Sequence, residues 1–317
     1  MYKNSFPSLE VSNFFEASTN FIPNHEEKDH MLGQVFVNGF LQGGFYACIG
    51  VSFSIVFGIM KIINLAQGTQ IILGAYITYT LSQILGIDPF FTLPLAAIGL
   101  FFLGYFIQKC VINLVAKGGL VITSLLTFGL NLILINVALL IWKADFRGTN
   151  PSYTGMSLEI AGVTIPYVRL IIFVIALLFT LFLELFFRKT ETGHSIQATA
   201  LDPKAAQLMG INIGKTYCFT FAISSAFGGA MGTLFILAKP ISPFTGGDFL
   251  IILFSVAILG GLGSIPGALI AGIVLGMVES FSVMFLGIEY QKIVLNLVYL
   301  LILIFLPKGL MGKRFYG

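Results

Sequence analysis

A group of amide side chains at the start of an apolar segment has the greatest potential for chemistry in this chain. Asn64, Gln67 and Gln70 fall within seven residues, together with Thr69 and around Gly68. An uncharged amide both donates and accepts hydrogen bonds, so it binds a polar solute without the cost of burying an ion. We predict that these amides line a pathway through apolar surroundings. The alternative is that each amide only bridges two helices, which contributes about 0.6 kcal/mol.

A lone carboxylate, Glu279, lies in the middle of a later apolar segment that contains no basic residue. Ionisable side chains are costly in such segments and by default mark a functional position. We predict that Glu279 belongs to the same pathway as the amides. A second hypothesis stays open, in which Glu279 holds an ion or a proton in a transporter or channel that works alone.

Catalytic and metal-binding patterns are missing from the sequence. Residues 210–216 resemble a phosphate-binding loop, but three residues separate Gly210 from Gly214 where the Walker A motif has four. We therefore predict no enzyme activity, no ATP site, no metal and no cofactor. The histidines lie in polar links and the cysteines are scattered, without the spacing of metal ligands: His25, His30, His194, Cys48, Cys110 and Cys218.

Composition places these residues in a membrane protein. Hydrophobic residues make up 57% of the 317 and charged residues only 10%, against about 25% charged in soluble domains. The apolar residues come in runs of about 20, enough to cross a hydrocarbon core. We predict an all-α polytopic membrane protein with about eight to ten transmembrane helices, one or two of them interrupted. The net charge of +3 is too small to indicate a nucleic-acid partner, and an anionic membrane surface explains it.

The predicted organisation is a polar N-terminal extension, 1–31, followed by a membrane domain, 32–317. Strand character in 158–165 also predicts a small external hairpin. If the polar segment 188–215 lies inside, ten Lys and Arg residues fall in inside links and seven outside. The positive-inside rule then places the N-terminus outside and the C-terminus in the cytoplasm. Nine spans are predicted, at 34–58, 62–85, 90–112, 119–141, 167–187, 216–238, 248–262, 265–287 and 290–306.

Glycines mark a turn and several packing ridges. The turn joins two spans and contains Gly260, Gly261, Gly263, Pro266 and Gly267. We predict a tight structural turn there, with a second interpretation in which its backbone groups face a polar cavity. Paired glycines four residues apart allow close helix contact, within the chain or toward a second subunit, at 39–43, 228–232 and 272–276.

The longest polar interruption, 188–215, contains a short helix with both ends marked. Asp202 suits the N-cap, Pro203 the first helical position and Gly210 a left-handed C-cap. A helix of two turns is too short to be stable alone, so we predict that it lies on another protein. Its predicted apolar face consists of Ala205, Ala206, Leu208 and Met209.

With these residues located, the chain resembles the permease subunits of bacterial branched-chain amino acid ABC importers, a group that includes urea and amide permeases. The resemblance covers about 32–312 and is strongest in four segments: 58–68, 193–212, 259–268 and 306–312. Two residues depart from the family pattern. Gln67 stands where many relatives have His, and Lys204 stands where importers often have Glu.

The resemblance implies a location in the bacterial cytoplasmic membrane and a set of partners. These are two cytoplasmic ATPase subunits, a second homologous permease and an extracytoplasmic solute-binding protein, with membrane lipid around the complex. Branched-chain amino acids are the leading solutes, with urea and short amides as alternatives. The ATPases would push the helix at 202–210, and the residues expected to couple to them are Gly193, Asp202, Pro203, Lys204, Ala205, Ala206, Leu208 and Gly210.

Overall fold

The computed structural model describes residues 25–115, 118–160, 162–306 and 309–311. Most of the predicted N-terminal extension falls outside this part of the chain. The described helices are α1 His25–Met60, α2 Gln67–Leu85, α3 Pro89–Ile107, α4 Gly119–Trp142, α5 Tyr167–Lys189, α6 Glu191–Leu201, α7 Pro203–Leu208, α8 Ile213–Ala238, α9 Thr245–Gly260, α10 Ile265–Leu286 and α11 Gln291–Phe305. A π-helical turn, Gln108–Ile112, extends α3 to a last turn, Asn113–Val115, and a 3₁₀ turn, Ile288–Tyr290, precedes α11.

Seven described helical segments are long and apolar enough to cross a membrane: α1, α3 with its π-helical extension, α4, α5, α8, α10, and α11 together with the 3₁₀ turn before it, Ile288–Phe305. The other two predicted spans correspond to α2 and α9, which pack mainly against other helices. At 16 residues, α9 is roughly 24 Å long, shorter than a hydrocarbon core of ~30 Å. The prediction of an all-α polytopic membrane protein is confirmed, with α2 and α9 packed among the spanning helices.

The first helix begins earlier than its predicted span. It starts at His25, so the last residues assigned to the polar extension are helical. At 36 residues α1 is roughly 54 Å long, more than a membrane crossing needs. Polar residues can continue a helix into water because its backbone groups stay bonded within the helix.

Glycine contacts determine the packing of α1 against α10, which is the most extensive helix contact in the structure. A Cβ atom on Gly43 would collide with the backbone of Ile273, and one on Gly276 would collide with Gly43. The two glycine ridges at 39–43 and 272–276 therefore face each other within one chain. Of the two predicted uses of these ridges, contact within the chain or with a second subunit, the structure shows the first. Close backbone approach of this kind stabilises helix pairs in lipid through dispersion contacts.

The centre of the bundle is α8, which packs against α1, α2 and α3. Its Gly229 meets Gly74 of α2, and its Gly232 lies against the carbonyl of Ile71. Side chains larger than hydrogen would push these helices apart. The small residues of α8 therefore bring α1 and α2 close enough for their polar side chains to meet.

The predicted hairpin is present between α4 and α5. Strands β1 Ser157–Ile160 and β2 Val163–Pro166 pair antiparallel. The Gln34 amide fastens this hairpin to α1, because it donates to the Thr164 carbonyl and accepts from the Thr164 N–H, both at 2.8 Å. The hairpin lies at the end of the bundle opposite α6 and α7, which we call the far end.

Candidate translocation and coupling sites

The break between α1 and α2 positions the predicted amides. Helix α1 ends at Met60, and Lys61 adopts a positive φ of 51° that turns the chain back. The side chain of Asn64 accepts the N–H of Ala66 at 3.1 Å, and α2 begins at Gln67. This sharp return places the first turn of α2 beside the interior of α1.

The three amides form one buried hydrogen-bond network. Asn64 Nδ2 donates to Gln67 Oε1 at 2.8 Å, and Gln67 Nε2 donates to Ser52 Oγ at 3.2 Å. From α8, Ser225 Oγ donates to Gln70 Oε1 at 3.1 Å, and Ser224 Oγ donates to the Ser52 carbonyl at 2.7 Å. We call these six residues the amide network. All six are 0–1% exposed, so bonds within the protein replace those that water would make.

A fourth helix touches the same region. Thr127 of α4 donates to the Ile63 carbonyl at 2.8 Å and accepts the N–H of Leu65 at 3.2 Å. Asn131, one turn further along α4, accepts from Thr69 at 2.5 Å. These contacts satisfy backbone groups freed by the break, which lipid would not tolerate bare.

Sequence reasoning missed the serines and the threonine of α4. Ser52, Ser224, Ser225 and Thr127 are small residues of ordinary type in apolar helices, so nothing in their local sequence distinguishes them. They become partners only through the packing of α1, α4 and α8. One donor of the amide network is free: Gln70 Nε2 is buried without a hydrogen-bond partner among the described residues.

Glu279 is also buried, at 6% exposed, but it belongs to a different cluster. Gln291 at the start of α11 donates to its Oε1 atom, and the hydroxyl of Tyr46 interacts with the same carboxyl group. Along α1, Tyr46 and Ser52 are six residues apart, roughly 9 Å of helix axis. No hydrogen bond of the described residues joins Glu279 to the amide network. Their place on a common pathway stays a prediction.

The glycine turn between α9 and α10 has a different role from either group. Gly261 and Gly263 adopt positive φ values of 90° and 86°, and Ser264 caps α10 by accepting the Gly267 N–H at 3.1 Å. The carbonyls at the end of α9 accept backbone N–H groups from near the C-terminus. Leu310 donates to Leu259 at 2.6 Å and Met311 donates to Gly260 at 3.3 Å. The carbonyls of Leu259 and Gly260 therefore bond to protein.

The polar segment 188–215 is more helical than the sequence indicates. Its first part is α6, which was expected to be part of a loop. Thr190 caps this helix by accepting the Gly193 N–H at 3.0 Å, and Gly193 packs directly on Phe186 and Phe187 of α5. Ile196 is the one large apolar side chain among the buried residues of α6, so this helix has a weak hydrophobic pattern in the sequence. Packing on α5, α1 and α8 stabilises it.

The short helix α7 has the predicted caps. Asp202 Oδ1 accepts the N–H groups of Lys204 and Ala205 at 2.8 and 3.2 Å, and Pro203 occupies the first turn. Gly210 has a φ of 86° and donates to Gln207 at 3.0 Å, while Ile211 donates to Ala206 at 3.1 Å. These two bonds form a Schellman motif. The helix is therefore closed at both ends by local bonds.

The apolar face of α7 is mostly open. Ala206 is 4% exposed and packs inward, but Leu208 and Met209 are 89% and 84% exposed. Leu201, the last residue of α6, is 83% exposed as well. Large apolar side chains grouped on a polar segment mark an interaction site. We call Leu201, Leu208 and Met209 the open face.

Comparison with known proteins identifies the family. The family model described as "Branched-chain amino acid transport system / permease component" matches residues 35–305. The high-affinity branched-chain amino acid transport system permease protein BraD of Pseudomonas aeruginosa is 30% identical over 300 residues, which cover 90% of this chain and 96% of BraD. LivH of Salmonella typhimurium, a permease protein of the same description, is 30% identical over 297 residues, covering 90% of this chain and 96% of LivH. LivM of the same organism is 25% identical over 291 residues, covering 84% of this chain and 67% of LivM. The chain therefore belongs to the family of permease components of branched-chain amino acid transport systems.

Proposed function

We propose that this chain is the permease subunit of an ABC importer for branched-chain amino acids. Two cytoplasmic ATPase subunits hydrolyse ATP, a second, similar permease completes the pathway, and an extracytoplasmic binding protein delivers the solute. Family membership supports the transport role, and the similarity to LivM supports a paralogous second permease. In this proposal the chain itself carries no ATPase site.

The observation that carries the proposal is the open face on a capped helix. A six-residue helix cannot be stable in isolation, yet α7 has complete caps and exposes Leu208 and Met209 to solvent. A partner groove that covers these side chains would remove their apolar surface from water. We infer that this partner is the ATPase, which places the segment 188–215 and the C-terminus in the cytoplasm of a bacterial cell and the chain in its cytoplasmic membrane.

Movement of α7 has a physical route to the amide network. Helix α6 joins α7 to the bundle and packs on α1 and α8. These two helices supply Ser52, Ser224 and Ser225 to the network. A rigid-body shift of α6 and α7 would therefore open the amides Asn64, Gln67 and Gln70 toward a solute. The solute must bind one state better than the other for the motion to be coupled to transport.

The test is co-purification and uptake with a charged open face. We expect the double variant Leu208→Asp, Met209→Asp to lose the ATPase subunits on purification and to lose ATP-driven leucine uptake in proteoliposomes. Because both side chains are exposed, the permease itself should unfold at the same temperature. The control is Phe146→Asp, another exposed apolar residue (73%), which lies at the far end. Retention of the ATPases by the double variant would contradict the proposal.

A transporter or channel working alone, with Glu279 as its ion or proton site, is the other hypothesis. Family membership disfavours it, because the matching family consists of components of multi-subunit systems. The two hypotheses differ in energy source. Uptake that follows an imposed proton gradient in the absence of ATPase subunits would favour the second.

A further inference from the structure

A narrow cavity lies at the far end of the bundle, between α1, α5 and α8. Two cations stand at it, Arg169 near the start of α5 and Lys239 just after α8. Gln42 adds an amide, and the rest of the lining is apolar: Leu41, Phe45, Ile172, Phe235 and Ala238. We call this the far-end cavity. A lining that combines two positive charges with aliphatic and aromatic surface matches a ligand with an anionic head and an apolar body.

The two cations lack partners of opposite charge in direct contact. Neither Arg169 nor Lys239 takes part in an ion pair of the described residues. Arg169 Nη1 donates to Asn38 Oδ1 at 3.2 Å, a neutral acceptor on α1. The charges of Arg169 and Lys239 act on the carboxyl group of Glu279, which is buried deeper in the bundle. Their hydrogen-bonding capacity is therefore available to an incoming anion.

A polar chain connects the far-end cavity to Glu279. Gln42 interacts with the hydroxyl of Tyr46, and Tyr46 interacts with the carboxyl group of Glu279. The Oε2 atom of Glu279 has no hydrogen-bond partner among the described residues. Leaving a buried acceptor without a hydrogen bond costs free energy, and an added donor would recover that free energy. An ammonium group supplies such donors.

We propose that the far-end cavity is an entry subsite for an aliphatic amino acid. Arg169 and Lys239 bind its carboxylate, Phe45, Ile172 and Phe235 contact its side chain, and Glu279 receives its ammonium group as it moves inward. The proposal rests on the function proposed above and names the groups that recognise the solute. The cavity is narrow, so entry requires α1 and α5 to separate, and the Arg169–Asn38 hydrogen bond is broken as the carboxylate arrives.

Recognition by two cations is strong because bonds between a guanidinium or ammonium and a carboxylate are charge-assisted. The same chemistry would also bind the phosphate of an anionic lipid headgroup at the membrane surface. An aliphatic amino acid and an anionic lipid differ in size and in their apolar parts. The test must therefore separate a leucine carboxylate from a lipid phosphate.

The first experiment measures protection of an engineered thiol. Ala238→Cys, at the lining of the cavity, is placed in the assembled transporter with the exposed Cys110 changed to serine, and labelling by a charged thiol reagent is followed in phosphatidylcholine nanodiscs. We expect leucine to slow labelling several-fold and isoamylamine, which lacks the carboxylate, to have no effect. Lys143→Cys, an exposed far-end position outside the cavity, is the control and should be labelled at the same rate with or without leucine.

Three results would overturn the subsite. The first is that leucine leaves the labelling rate of Ala238→Cys unchanged, and the second is that leucine slows the labelling of both thiols equally. The third is that leucine has no effect on Ala238→Cys while added phosphatidylglycerol slows its labelling. The last result would assign the cations to lipid binding.

The second experiment measures transport. Arg169→Gln together with Lys239→Gln should lower ATP-driven leucine uptake about tenfold, as expected for losing a charge-assisted contact. Lys143→Gln should leave uptake unchanged. Normal uptake by the double variant would overturn the subsite alone, whereas absence of leucine uptake in the unmodified transporter would overturn the proposed function.

Discussion

The amide network and the open face reverse the usual distribution of polar and apolar groups in opposite ways. In the network, polar side chains are buried among apolar helices and bond almost entirely to one another. In the open face, large apolar side chains are exposed on a polar segment. Burying polar groups costs little when hydrogen bonds replace water, whereas apolar surface in water is stabilised only by a partner. Among the described residues, the first region therefore satisfies its polar groups within this chain apart from Gln70 Nε2, and the second region depends on a partner.

The largest stability effect should come from the packing that assembles the buried region. Gly276→Leu places a side chain where the backbone of Gly43 lies, so α1 and α10 must separate. We expect a loss of about 3 kcal/mol or more, seen as a lower thermal unfolding temperature in detergent or as failure to accumulate. Gly129→Leu is the control, because a Cβ at Gly129 meets open space. Equal stability of the two variants would show that the close approach is unimportant.

A smaller effect should follow from removing one member of the amide network. Gln67→Leu leaves Asn64 Nδ2 and Ser52 without a bond that they now make. We expect a loss of roughly 1–2 kcal/mol in the free energy of unfolding, together with reduced uptake. Asn136→Leu is the matched control, since among the described residues that exposed amide bonds only to a carbonyl of its own helix. If Gln67→Leu were neutral in both assays, the network would not be the closed unit described above.

The smallest effect on the whole molecule should come from the N-cap of α7. Asp202→Ala removes the acceptor for two backbone N–H groups, which costs about 1 kcal/mol locally. Because α7 packs inward only through Ala206, we expect faster amide hydrogen exchange across 203–208 with no change in global unfolding. Asp202→Asn keeps an acceptor and should restore slow exchange. A global loss of stability would mean that α7 is a structural part of the bundle.

Local features were predictable and long-range partnerships were not. The caps of α7 and the hairpin depend on residues within a few positions of each other, so the patterns at Asp202, Gly210 and 158–165 sufficed. Helix α6 was missed because its buried positions are few and its helical state depends on packing against α5. The partners of Gln67 were missed because Ser52 and Ser224 are 15 and 157 residues away in the chain.

The same contrast between local features and long-range contacts applies to the prediction for Glu279. Its apolar surroundings marked it as unusual, but its sequence position did not show that its partners are Tyr46 and Gln291. Likewise, paired glycines indicated close packing without indicating the partner helix. The tertiary structure decided that α1 and α10 face each other.

By itself, the sequence determined that this is a polytopic helical membrane protein with a capped helix on a polar segment. Those properties follow from composition, run length and short-range hydrogen bonding, which act along the chain. Only the tertiary structure decided which amides and hydroxyls meet, that Glu279 stands apart, and that Arg169 and Lys239 share a cavity. These depend on helix crossings, and a crossing brings together residues whose separation in the sequence carries no information about their distance in space.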